Sequence, residues 1–168
     1  TRLVKNYYDT DPSSGCLDGL FFVLSPNKYL EDRIYTAIVS EEEISDQASP
    51  ALRDIRRHMR MQSAKVRESL QKIISSPAYA KYLQEPVITM RQGRYVVPVK
   101  SEHKNDIAGL VHDVSSSGGT FFIEPIQAVN ANNALRELFD REKKEIERIL
   151  AELSAQAAAY REPIETDF

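Results

Sequence analysis

The sequence predicts an α+β fold that is mainly helical, with a small antiparallel β unit between two long helices. Apolar residues recur at spacings of three and four over residues 51–75 and 126–160, which predicts the two helices. Between them, residues 86–125 carry β-branched and aromatic residues in runs typical of strands. We therefore expect two long antiparallel helices that carry a tip of roughly four strands, on a partial helical core.

Composition limits the kind of protein. The 168 residues are 42% hydrophobic, enough for a folded domain, and both ends have the character of cuts through a larger protein. The single cysteine, Cys16, excludes an internal disulfide and favours a reducing, cytoplasmic setting. No apolar run reaches the roughly 20 residues that span a bilayer, so no membrane contact is expected. The net charge of −3 argues against an overall basic surface but allows a local basic patch.

Residues 1–49 are predicted to form the partial helical core. The densest apolar cluster of the chain is expected to be its centre: Leu17, Leu20, Phe21, Phe22, Val23 and Leu24. A serine followed by proline at Ser25 and Pro26 predicts a helix over residues 26–39. Residues 40–49 break the periodicity and predict an exposed turn or a short strand around Ile44.

Residues 50–85 are predicted to contain the outgoing helix and a short helix after it. Ser49 and Pro50 repeat the capping pattern. One narrow apolar seam follows, and Gln62 occupies a seam position where the spacing calls for an apolar residue. The apolar members of the seam are Leu52, Ile55, Met59, Val66, Leu70 and Ile73. The remaining faces carry seven Lys and Arg residues against Asp54 and Glu68, which we interpret as a solvated surface. The short helix is expected to run through Tyr79, Tyr82 and Leu83 to Pro86.

The β tip, residues 86–125, is predicted to hold two hairpins. Residues 87–90 and 95–97 flank a turn that contains Gly93, and residues 110–114 and 120–123 flank the turn Ser115 to Gly119. Pro98 indicates an edge strand or a bulge, since proline cannot donate a ladder hydrogen bond. Residues 126–168 are then the returning helix and a tail, with mixed charges typical of an exposed helix.

No catalytic, cofactor or metal site is expected. The run Ser115 to Gly119 lacks the following Gly-Lys-Ser/Thr of a phosphate-binding loop. His112 and Asp113 are neighbours on a strand and would point to opposite faces, so they do not fit a triad with Ser115. Four side chains could in principle bind a metal, but carboxylates in polar loops are usually solvated: Glu102, His103, Asp106 and Glu124.

The positive hypothesis concerns basic side chains around the first hairpin and the loop after it: Arg91, Arg94, Lys100, His103 and Lys104. Together with Tyr95 they form a basic, partly aromatic patch that would bind nucleic acid backbone without reading bases. The alternative is a sheet edge protected by charge against aggregation. Composition alone leaves both open.

Several ordered blocks resemble the MutS-two proteins, the second bacterial branch of the MutS mismatch-repair ATPases. They lie at residues 43–56, 82–86, 91–100, 109–118 and 123–125, within a match over about 44–153. The resemblance implies that residues 51–160 are lever helices with a clamp between them, which in a homodimer would close around double-stranded or branched DNA, or ribosomal RNA. It also implies a bacterial, cytoplasmic parent that uses ATP and Mg and carries a nuclease domain, both outside this chain.

Two further hypotheses belong to other classes. The helices and tip would form a structural or protein-docking coiled-coil arm that meets a second subunit or the ribosome. A nuclease would instead use Asp106, Asp113 or Glu124 and cleave in a metal-dependent way. We expect no cleavage by this chain.

Overall fold

The structure, a computed structural model, describes residues 1–10 and 15–167 and has the predicted α+β composition. The chain forms two compact units: Thr1–Arg53 with Lys144–Phe168, and Asp54–Lys143. The boundaries lie within the two long helices, α4 (Pro50–Ile74) and α6 (Ile126–Ala159). Both helices lie within one residue of the predicted ranges at each end. The four segments predicted from sequence are defined by residue pattern and not by compactness, so that division stays a prediction.

The first unit contains short elements before and after the long helices. These are α1 (Arg2–Thr10), α2 (Asp18–Val23), α3 (Lys28–Ala37), β1 (Ile38–Ser40), β2 (Glu43–Ile44) and α7 (Arg161–Asp167). β1 and β2 pair antiparallel, which confirms a short strand around Ile44. The predicted start of α3 at Pro26 is wrong, because the amide of Asn27 caps the helix and its Oδ1 accepts from the Leu30 N–H at 3.0 Å.

The core of the first unit is not the predicted apolar cluster. Its buried residues are Ala37, Leu52, Ile149 and Leu153. Leu20 and Phe22 are 68% and 75% exposed. Apolar side chains surround the short helix α2 on several sides, so one face cannot bury them all; Phe21 stacks on Tyr8 with 4.4 Å between ring centroids. Local density of apolar residues, without a helical period, is therefore a poor indicator of burial here.

Ser49 caps α4 as predicted and joins it to α6. Its Oγ accepts from the Leu52 N–H at 2.9 Å and donates to the Glu145 carboxylate at 2.7 Å. Arg148 donates to the same carboxylate at 2.8 Å. These bonds, first that of Arg148 and then that of Ser49, lower the pKa of Glu145 to about 2. The Glu145 carboxylate is therefore an ionised cross-link between the two helices within the first unit.

Within the second unit the long helices run in opposite directions. Arg56 of α4 donates to Glu142 of α6 at 2.6 Å. Further along α4, Met59 and Arg67 line a groove with Leu135 and Phe139, which come earlier in α6. The predicted seam is buried at most of its positions, including Val66, Leu70 and Ile73.

A four-stranded antiparallel sheet completes the second unit and confirms the predicted strand count. Its strands are β3 (Thr89–Arg91), β4 (Arg94–Lys100), β5 (Gly109–Val114) and β6 (Thr120–Pro125), in the order β3-β4-β6-β5. Gln92 and Gly93, with φ of 51° and 75°, form the tight turn of the first hairpin. The face with Tyr95, Val97, Val99 and Ile123 belongs to the same core as the two helices.

Pro98 lies in the central strand β4, so the predicted edge position is wrong. Pairing of β3 with β4 ends at Val96, and beyond it the segment after α5 (Pro77–Ala80) takes over. There the Gln84 N–H donates to the Pro98 carbonyl at 2.9 Å, and Leu83 bridges to Val99. Leu83 is thus paired with the sheet and is not helical as predicted. The missing N–H of Pro98 falls where the β3 ladder has already stopped.

Asn132 of α6 connects the helix to both hairpins. Its Oδ1 accepts from the Tyr95 N–H at 3.2 Å and its Nδ2 donates to the Tyr95 carbonyl at 3.0 Å. The same Nδ2 donates to Glu124 at 2.8 Å. Asn132 is fully buried, and it satisfies β4 at Tyr95 much as a neighbouring strand would.

None of the helices in the described ranges combines the length and the apolar content needed to cross a bilayer.

Candidate nucleic-acid interface

The five predicted basic residues lie at two ends of one strand. Arg91 and Arg94 flank the turn that precedes β4, whereas Lys100 ends β4 and His103 and Lys104 follow it. β4 has seven residues, and at about 3.3 Å per residue its ends are about 20 Å apart. We call Arg91 and Arg94 the arginine end, and Lys100, His103 and Lys104, with Lys81, the lysine end.

At the arginine end, Arg94 is engaged within the protein. Its Nη1 donates to both oxygens of Glu124 at 2.8 and 2.9 Å, and its Nη2 donates to Asn133 at 2.7 Å. Glu124 is fully buried and also contacts the His112 Nε2 at 2.5 Å. A buried carboxylate needs such partners, because an unpaired charge in the interior is costly. Arg94 therefore has a structural role that sequence reasoning did not foresee.

Arg91 is only partly available. Its Nε is 3.3 Å from the Asp113 carboxylate, and its guanidinium lies 4.1 Å from the centroid of the Phe122 ring. The side chain is 38% exposed, so a phosphate could still approach it. The nearby Asp113 reduces the positive potential that such a phosphate would meet.

The lysine end has a different electrostatic character. Lys100 Nζ donates to the Lys81 carbonyl at 3.1 Å, and the Lys104 Nζ lies 5.4 Å from the Phe121 ring centroid. Lys81, which was not predicted, holds its Nζ 4.8 Å from the Tyr82 ring centroid. Within the described ranges none of these three ammonium groups is paired with a carboxylate. Their charges therefore remain largely uncompensated.

His103 is the weaker member of this group. Its Nδ1 lies 2.7 Å from the Asp106 carboxylate, and its ring centroid lies 5.1 Å from that of Tyr82. A histidine carries a positive charge only when protonated, and Asp106 offsets that charge. The lysine end therefore gains little positive charge from His103, whose ring packs against that of Tyr82.

Sequence reasoning missed Lys81 because the contact that places it is long-range. The bridge between Leu83 and Val99 brings the segment after α5 beside β4, and Lys81 then lies next to Lys100, nineteen residues later. The sequence pattern predicts a strand at residues 95–97, just before Val99, but it places Leu83 in a helix. A strand partner for Leu83 would have been the pattern to look for.

The residues of the nuclease hypothesis are separated by their partners. Asp106 contacts His103, Asp113 contacts Arg91, and Glu124 is buried beside Arg94. In the ranges that the structure describes, no three His, Cys, Asp or Glu side chains come together as metal ligands would. His112 pairs with Glu124 and not with Asp113.

Curated relatives supply the family. No family model matches the chain. The chain is 54% identical over 160 residues to "Endonuclease MutS2" of Ruminiclostridium cellulolyticum, an alignment that covers 94% of this chain and 20% of the relative. It is 52% identical over 157 residues to "Endonuclease MutS2" of Clostridium beijerinckii, covering 92% of the chain and again 20% of the relative. The protein of the same name from Pelotomaculum thermopropionicum is 55% identical over 135 residues, 80% of the chain and 17% of the relative.

These relatives show that the chain is part of a MutS-like protein. The chain spans about one fifth of the length of the curated relatives it matches. Its family is MutS2, to which the chain belongs, as the sequence resemblance predicted.

Proposed function

We propose that this chain is the clamp-and-lever part of a MutS2 protein and that its lysine end contacts nucleic acid backbone without sequence readout. The contacting groups are Lys81, Lys100 and Lys104, with His103 and Arg91 as weaker contributors. Arg94, one of the five predicted contacts, is reassigned to support of the buried Glu124. In this proposal the chain itself is not an enzyme.

The observation that carries the proposal is the set of three ammonium groups without carboxylate partners at one end of the sheet, in the described part of the chain. Each lysine neutralises a phosphate as a point charge and reads no base edge. Binding of this kind releases counterions and therefore weakens steeply with salt. The Lys81 ammonium lies over the Tyr82 ring and the Lys104 ammonium lies over the Phe121 ring, and these two contacts help to position the side chains.

The relatives' printed name supports a setting in DNA metabolism. For the full-length protein we propose a bacterial, cytoplasmic homodimer whose ATP-binding and nuclease domains, with ATP and Mg, lie outside this chain. Its duplex is double-stranded or branched DNA, or alternatively ribosomal RNA. The clamp and lever assignments are supported by the family resemblance of the sequence blocks.

A charge-reversal series tests the proposal. Lys81, Lys100 and Lys104 are changed to Glu together in the full-length protein, and binding of a 30-bp duplex is measured from 50 to 200 mM salt. A matched control reverses three other exposed lysines: Lys65, Lys143 and Lys144. We expect a loss of at least tenfold at 50 mM salt for the first variant and a much smaller loss for the control.

Equal losses in the two variants would show a diffuse charge effect and would remove the lysine end as a site. Unchanged duplex binding with lost association to a protein partner would favour the docking-arm alternative. Running branched DNA and structured RNA in the same titration distinguishes the two nucleic acids proposed.

A further inference from the structure

The turn between β5 and β6 lies beside the lysine end. We call this turn, Ser115 to Gly119, the serine turn. Thr120, which follows it, is the Cα partner of Lys100 on β4. The Ser101 N–H, next along the chain from Lys100, donates to the Gly119 carbonyl at 3.0 Å. The serine turn and the lysine end therefore share one end of the four-stranded sheet.

Hydrogen bonds within the serine turn define its shape. The Gly118 N–H donates to the Ser115 carbonyl at 2.8 Å, which is the bond of a four-residue β-turn. Ser116 and Ser117 occupy the two central positions, and neither has a positive φ, so the turn is of type I. The Ser115 hydroxyl accepts from the Thr120 N–H at 3.0 Å and closes the turn at its base. Gly118, with φ of 72°, then reverses the chain.

Three hydrogen-bond donors of the serine turn have no acceptor in the described part of the chain. They are the N–H of Ser116, the hydroxyl of Ser116 and the N–H of Ser117. Both residues are exposed, and the space beside Gly118 is open, since an added Cβ would have no atom within 4 Å. Successive N–H groups in such a turn form a concave site for an anion. The serine turn thus presents neutral donors next to the lysine ammonium groups.

The distance between the serine turn and Lys100 suits a single nucleic acid strand. The Ser115 N–H donates to the Thr120 carbonyl at 2.9 Å, and Thr120 pairs with Lys100, so two strand spacings separate Ser115 from Lys100. At about 4.8 Å per spacing this is about 10 Å. One strand of DNA carries one phosphate per about 3.4 Å of helix axis. A strand that crosses this end of the sheet therefore brings separate phosphates to the lysines and to the turn.

We propose that the serine turn binds a second phosphate of the nucleic acid strand that the lysine end contacts. The N–H groups of Ser116 and Ser117 and the Ser116 hydroxyl donate to the phosphate oxygens. The proposal rests on phosphate binding at the lysine end, and it adds donors that fix where the strand crosses the sheet. The two kinds of contact differ in salt dependence. A lysine releases counterions and adds to the salt slope, whereas neutral donors add affinity alone.

Ser116→Pro is the main test, because proline removes the N–H and the hydroxyl together and is favoured at the second position of a type I turn. Ser116→Ala removes the hydroxyl alone, and Ser154→Ala, at an exposed position of α6, is the control. Binding of a 30-bp duplex to the full-length protein is measured by fluorescence anisotropy from 50 to 200 mM salt. We expect Ser116→Pro to bind about fivefold more weakly at every salt concentration with an unchanged slope, Ser116→Ala about twofold, and the control as wild type.

A second variant decides the question if the proline variant does not fold, which thermal unfolding checks. Ser116→Asp keeps the N–H but places a carboxylate beside the bound phosphate, so binding should weaken about tenfold at 50 mM salt. Ser154→Asp adds the same charge to α6 and should weaken binding much less, because the charge is then far from the contact.

Wild-type affinity of Ser116→Pro, or equal losses for the two aspartate variants, would overturn the proposal. So would a salt slope that falls by about 0.9 in Ser116→Pro, since that variant would then act by displacing a lysine. The charge reversal of the three lysines separates this proposal from the proposed function. If the reversal leaves duplex binding unchanged, the lysine end fails and the serine turn with it. A loss on reversal, with none in Ser116→Pro, removes the serine turn alone.

Discussion

Arg94 and Glu124 lie thirty residues apart in the chain, yet they form an ion pair. The Arg94 Nη1 donates to both oxygens of the Glu124 carboxylate, which is fully buried. Arg94 begins β4 and Glu124 lies near the end of β6, the central neighbour of β4. The pair therefore anchors the first hairpin to the second one. Arg94, which the sequence suggests is a surface cation, is only 20% exposed and pairs with a fully buried carboxylate.

We predict that Arg94→Ala destabilises the chain by about 3 to 5 kcal/mol, because Glu124 would remain buried without its main partner. Arg91→Ala is the matched control: its pair with Asp113 is exposed, and its loss should cost about 1 kcal/mol or less. Urea unfolding at pH 7 measures both. Similar values for the two variants would contradict a special role for Arg94.

A single lysine at the lysine end should carry one phosphate contact. Lys104→Gln is expected to lower the slope of log K against log salt by about 0.9 for duplex DNA, with equal effect on all duplex sequences. Lys65→Gln, on the exposed side of α4, should leave the slope unchanged. Filter binding or anisotropy at four salt concentrations gives the slope. A sequence-dependent effect of Lys104→Gln would argue for base readout instead.

Gly109 should not tolerate even alanine. A Cβ at this position would lie 2.2 Å from the Glu124 carbonyl oxygen and 2.8 Å from the Ile123 Cγ2, so β5 would have to move away from β6. We expect Gly109→Ala to lower the free energy of unfolding by about 1 to 3 kcal/mol. At Gly119 the nearest atom, the Ser117 Oγ, would be 3.6 Å away, and Gly119→Ala should change stability little. Thermal unfolding of the two variants, side by side, checks this difference.

The low pKa of Glu145 predicts a pH dependence. Its pKa of about 2 in the folded chain lies below the ordinary 4.5, so the ionised carboxylate contributes stability above about pH 4.5, and this contribution is lost as the pH falls toward 2. Because the pair is partly solvated, Glu145→Gln should cost only about 1 kcal/mol at pH 7. The difference between wild type and variant should shrink steadily from pH 4.5 to 2.5 in urea titrations. A difference that stays constant over this range would show that Glu145 acts through packing.

The helices α4 and α6 were predictable because their ends and their apolar seams can be recognised from residues that are close together in the sequence. Ser49 caps α4 through its own hydroxyl, and Pro125 directly precedes α6. The hairpin at Gly93 was predictable for the same reason, since the turn requires left-handed backbone angles.

Other features depend on contacts between distant residues, which no local pattern records. Pro98 is tolerated in a central strand only because β3 ends before it and Gln84 bonds its carbonyl. The basic patch was predicted as one surface, yet a seven-residue strand separates its two ends. Whether Arg94 is free to bind phosphate or is paired within the protein likewise depends on Glu124, which lies on another hairpin.

Asn132 gives the second unit a further property. Because one amide group bonds both the N–H and the carbonyl of Tyr95 and also Glu124, a helix residue is hydrogen-bonded into two hairpins at once. Amide protons of β4 and of the α6 turn around Asn132 should then exchange with solvent through one shared opening event, so that the sheet melts as a single cooperative block and not strand by strand.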